Sequence, residues 1–138
     1  MTSRDDLHQK VRLTWGDSEE LRLALLIFDF IEQDPYAAHI PYSRFQKIAK
    51  EQALQDPHVV ERVVQYLTGA DSHVLELGAE LIEGDDEIRR LKPDEFALAV
   101  SDHIHPLTGE RDESLPSKVF VYFSPSKLAQ EVFRKHKS

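Results

Sequence analysis

Apolar residues recur along this chain with two periods, one helical and one of strand type, and the switch between them falls near residue 74. Leu21, Ala24, Leu25, Phe28 and Ile31 follow at i, i+3, i+4 spacing, the stripe of a helix with one buried face. Asp17 lies three residues before Glu20 in capping-box spacing, and Asp34-Pro35 closes the run, which predicts a helix over 17–34. Ahead of it, Val11, Leu13 and Trp15 alternate with polar residues and predict a short edge strand after a polar, frayed start. A second helix is predicted over 43–54, burying Phe45, Ile48, Ala49 and Leu54. Asp56-Pro57 then opens a third, in which Val59, Val60, Val63, Val64 and Leu67 share a face before Gly69 ends it.

Beyond residue 74 the pattern changes. Leu75, Leu77, Ala79 and Leu81 alternate with Glu76, Gly78 and Glu80, as in a half-buried strand. A helical face through Val74, Leu77, Gly78 and Leu81 competes, but an interior glycine costs a helix roughly 1 kcal/mol. Gly84-Asp85-Asp86 supplies a turn, and residues 87–91 the returning strand. Pro93-Asp94-Glu95 opens a short helix through residue 100, and residues 106–109 form a reverse turn. Residues 118–123 are β-branched and aromatic on both faces, which predicts a central strand. Ser124-Pro125 is expected to cap a last helix that turns Leu128, Ala129, Val132 and Phe133 inward. Leu25, Phe28, Ile48, Val63 and Phe120 are the expected core.

Three helices with a short turn between the second and third, followed by a hairpin, resemble the winged helix-turn-helix superfamily over residues 17–91. The resemblance implies an α+β fold: a winged-helix-like three-helix core with a β-hairpin, to which residues 92–138 add a helix, a loop, a strand and a helix. At 138 residues, with 41% apolar and 30% charged positions, the chain is expected to form a single domain.

In a DNA-binding winged helix the third helix enters the major groove and cations around it grip phosphates. Here Arg44, Lys47, Lys50 and Arg62 are the candidate DNA contacts. Against them stands a net charge of −8. The hairpin region 71–95 alone carries nine acids and three bases, a balance that repels phosphate. The same acidity makes Glu83, Asp85, Asp86 and Glu87 candidates for docking a basic protein partner.

Other chemistry is excluded or outweighed. Cysteine is absent, which removes disulfides, thiolate metal sites and cysteine nucleophiles and fits a reducing, cytoplasmic compartment. The five glycines lie too far apart to cradle a nucleotide phosphate. The longest apolar stretch, residues 23–31, is interrupted by Asp29 and falls short of the ~20 residues that cross a membrane. No secretory signal pattern opens the sequence. His103, His105 and Glu110 have the spacing of the first cupin metal motif, but Pro106 and Gly109 turn that segment into a loop. These histidines are therefore expected to anchor the loop through backbone hydrogen bonds. Ser124 and Lys127 have the SxxK spacing of penicillin-recognising enzymes without the partner motifs. The expectation is thus a non-catalytic protein-interaction module, a subunit or adaptor with no cofactor and no metal. Its partner is another protein, and a homo-oligomer is compatible with the sequence. A sequence-specific DNA-binding regulator is the alternative.

Overall fold

The structure, a computed structural model, describes residues 3–69, 72–83 and 87–136. Ser3 opens the first helix, α1 (Arg4–Trp15), through a reciprocal cap: its hydroxyl accepts the Asp6 amide, and the Asp6 carboxylate accepts the Ser3 amide at 2.9 Å. The predicted edge strand is thereby corrected, as is the frayed start from Ser3 onward; Met1 and Thr2 lie outside the described residues. Leu7 and Val11, four residues apart, are both buried, whereas Leu13, which the alternation placed beside Val11 and Trp15, stands 82% exposed. Trp15 continues the same i, i+4 row and packs edge-on against Tyr66, with ring centroids 4.7 Å apart.

The second helix, α2 (Glu19–Gln33), is capped by Ser18 rather than Asp17; the Ser18 hydroxyl accepts the Leu21 amide at 3.2 Å. Its buried stripe is Leu23, Ala24, Ile27, Phe28 and Ile31, with Leu21 and Leu25 half-buried on its flank. The stripe is displaced from the predicted one because α2 is central. It packs against α1 and against three helices introduced next: α3 (Tyr42–Glu51), α4 (Val59–Thr68) and α6 (Lys127–His136). Val63 is fully buried as expected, and Ile48 is half-buried at the rim.

The turn between α3 and α4 is tied to the start of α2. The Glu19 carboxylate accepts the backbone amides of Gln55 (2.9 Å) and Asp56 (2.8 Å), and these two hydrogen bonds hold its pKa below the ordinary carboxylate value. Asp56 in turn accepts the His58 amide at 2.9 Å just ahead of α4.

Two compact units divide the chain. Unit 1 comprises Met1–Glu76 and Phe123–Ser138, and unit 2 is Leu77–Tyr122. In unit 1, Phe133 of α6 packs on Phe28 with centroids 5.5 Å apart, and both are fully buried. Ile40 and Phe123 exchange two backbone hydrogen bonds of 2.8 and 2.7 Å. The cap of α6 is Ser126, not Ser124. Its hydroxyl accepts the Ala129 amide at 3.1 Å and donates to the His73 carbonyl at 2.6 Å.

A three-stranded antiparallel sheet has the order β2-β1-β3, with β1 at Leu75–Ile82, β2 at Ile88–Leu91 and β3 at Val119–Pro125, and its residues 77–82, 88–91 and 119–122 organise unit 2. The pairs Ala79↔Leu91 and Ile82↔Ile88 fix the β1–β2 register. The strand reading of residues 74–83 is thus the one adopted; the predicted turn at Gly84, Asp85 and Asp86 lies outside the described residues. One sheet face is covered. Ala79, Leu81 and Leu91 pack with Ala99 of α5 (Pro93–Ser101) and with Leu115, joined by Phe96 and Val119. The prediction of a central strand at 118–123 is corrected, because β3 is an edge strand with Phe120 53% and Val121 41% exposed. The architecture is mixed α+β, six helices and one sheet among the described residues.

Candidate functional site

Helix α4 and the turn before it hold their charges close. The Arg62 guanidinium lies 2.6 Å from Asp56 and 3.1 Å from Glu20, and the bond to Asp56 raises its already high pKa. Lys47 is 4.0 Å from Glu51, and Arg44 stands over the Phe30 ring at 6.0 Å. Lys50 is exposed in the last turn of α3. All four candidate DNA contacts belong to unit 1, but three of them already have intramolecular partners.

The histidine loop of unit 2 carries a different device. Ile104 and Arg111 form an isolated antiparallel bridge, and the His105 amide donates to the Glu110 carbonyl at 2.8 Å. His105 Nδ1 accepts the Leu107 amide at 3.1 Å, so Nε2 carries the proton and donates to Glu83 at 2.6 Å. His103 has a φ of 58°, which breaks the extended backbone that would put the two rings on one face. Its Nδ1 meets Glu113 at 2.8 Å instead. Among the described residues no three His, Asp or Glu side chains converge where a metal ion would sit. Glu83, a candidate docking residue, is committed to His105, and Glu87 is exposed. Asp85 and Asp86 lie outside the described residues.

Asp112 locks the end of this loop. Its carboxylate accepts the Ser114 hydroxyl (2.7 Å) and amide (2.9 Å) and lies 3.3 Å from Lys118. The Ser114 bonds, with Lys118 adding, hold its pKa down to about 2 from an ordinary 3.8. A depressed carboxylate stabilises the fold above its unfolded pKa and loses that contribution as pH falls through the folded value. Asp112→Asn is therefore expected to melt lower than the parent at neutral pH, and the gap should close as pH approaches about 2. Thermal melts across the acid range read this directly.

The remaining surface feature is the uncovered face of the unit 2 sheet. A Cβ built on Gly78 would lie 2.4 Å from the Tyr122 ring, so that ring fills the space a side chain would take and marks which way Tyr122 points. Side chains alternate along strands. Phe120 therefore shares this face with Tyr122, and so do Glu80 and Ile82 on β1 and their register partners Arg90 and Ile88 on β2. Ile88 is 61% exposed, and Ile82 and Tyr122 are half-buried. Unit 2 is one third of the chain, yet holds seven of the nine large apolar side chains that stand exposed among the described residues. It also carries eleven acids against five bases, a net of −6 out of −8.

The sequence reading placed Phe120 in the core and gave Ile82, Ile88 and Tyr122 no functional role. The available signal was Gly78, which stands without a side chain in the polar row between Glu76 and Glu80; a glycine inside a strand marks a close approach by another group. Ser124 sits at the end of β3 and Lys127 begins α6, so the SxxK pair straddles a strand end and a helix start. Comparison with protein-family models, curated proteins and solved structures returned no match. Among the described residues no helix is long and apolar enough to cross a membrane.

Proposed function

We propose that this chain is a non-catalytic protein-interaction module, a cytoplasmic subunit or adaptor built on a winged-helix-like core. The order α2, α3, α4, β1, β2 supports the winged-helix comparison. The observation that carries the functional reading is the coincidence, in unit 2, of exposed apolar side chains with most of the negative charge. An apolar surface with a charged surround is what a protein-docking surface requires.

The alternative, a DNA-binding regulator, draws on Arg44, Lys47, Lys50 and Arg62. The clamp of Asp56 and Glu20 on Arg62 weighs against it, as does the net charge. Fluorescence anisotropy with duplex fragments at two salt concentrations separates the two. The module reading expects no duplex binding tighter than the high micromolar range, and no change in Arg44→Glu/Lys47→Glu. Nanomolar binding that weakens steeply with salt and disappears in that double variant would establish the regulator.

A further inference from the structure

We infer that the open sheet face formed by Ile82, Ile88, Phe120 and Tyr122 docks a basic, amphipathic segment of a partner protein, an inference that rests on the interaction-module reading. The four side chains lie on all three strands of one sheet, so they form a surface rather than scattered exposures. Phe120 and Ile88 are each more than half exposed, an unusual state for large side chains on the same face. The polar members of that face, Glu80 and Arg90, lie opposite each other in register and balance in charge. Four acids and no base, Glu83, Asp85, Asp86 and Glu87, stand between Ile82 and Ile88 in the sequence, and unit 2 as a whole carries −6.

That sign selects the occupant. A second copy would bring the same four acids and another unit of net −6 to the contact, and nucleic acid or an anionic lipid surface would be repelled in the same way. A segment with apolar side chains on one face and lysine or arginine on the other gains both burial and attraction. Rim charges accelerate its association, while the apolar centre sets how long it stays.

The test uses the full chain and a synthetic helical peptide with leucines on one face and lysines on the other. A peptide of the same composition, with its leucines scattered around the helix, is the comparison. The ordered peptide should bind about tenfold or more tighter than the scattered one, and Ile88→Ser/Phe120→Ser should lose about tenfold or more of that affinity. The double variant should melt like the parent, because its side chains are exposed. Leu13→Ser, on the 82% exposed position of unit 1, should bind like the parent. Equal binding of the two peptides, or equal binding by Ile88→Ser/Phe120→Ser, overturns the inference. So does a parent that sediments as a dimer and becomes monomeric in the double variant, since the occupant is then a second copy. Affinity capture from native extract, run with both proteins, keeps the two levels apart. A stoichiometric partner retained equally by parent and double variant leaves the module reading standing and removes this face from it. With no stoichiometric protein retained by the parent, the module reading falls and this inference falls with it.

Discussion

Phe133→Ala is expected to destabilise the chain by ~3–5 kcal/mol, the range for emptying a buried aromatic site. Its ring is fully buried, packs on Phe28 at 5.5 Å, and belongs to the same cluster as Ala129 and Val132 of α6. Urea unfolding followed by circular dichroism and by the fluorescence of Trp15, the single tryptophan, measures the loss where it matters, because Trp15 belongs to unit 1. Phe120→Ala is the paired control. The same side-chain truncation on an exposed edge-strand position should cost less than ~1 kcal/mol. Equal losses from the two substitutions would mean that the face of β3 has been assigned the wrong way round.

Ser126→Ala carries the second large expected effect, ~1–3 kcal/mol. One hydroxyl serves two elements: it caps α6 through the Ala129 amide and satisfies the carbonyl of His73, fifty-three residues away in sequence. Ser126 and Ala129 are fully buried, so removing the hydroxyl strands the Ala129 amide without water, while the His73 carbonyl, on an exposed residue, loses its side-chain donor. Ser124→Ala should be close to neutral. Hydrogen exchange at the Ala129 amide gives a local reading that global melting does not, and protection there should fall only in the Ser126 variant.

The contrast between Ser124 and Ser126 shows where sequence reasoning stops. Both residues can cap a helix, and the choice depends on a carbonyl that comes near only in the folded chain. The strong periodic signals were readable: the stripes of α2, α3 and α4, the strand period of β1, and the inward row of α6. Their phase was less so, since α2 touches four other helices and buries Leu23 and Ile27 more completely than Leu21 and Leu25. Helix α1 was hidden by a three-residue alternation, although Leu7, Val11 and Trp15 over a longer window carry the helical spacing. Phe120 misled because an edge strand that is apolar on both sides reads like a central one; which side is covered depends on α5 and Leu115, far off in sequence. Glu19 was invisible as the clamp of the α3–α4 turn for the same reason, its partners lying 36 and 37 residues away. The acidic, apolar-rich character of unit 2 needed both views: charge came from composition, exposure from the fold.

The discontinuous make-up of unit 1 has a consequence for biosynthesis. A ribosome delivers the chain from one end, so residues 77–122 emerge before Phe123–Ser138, which unit 1 needs for completion. When α1 to α4 have left the exit tunnel, Phe28 still lacks the ring of Phe133, and the His73 carbonyl still lacks Ser126. Unit 2 draws its own small core from neighbouring sequence and can close in the meantime. The segment translated first is therefore the one that waits longest for its final packing, exposing apolar surface that a chaperone would recognise while translation continues.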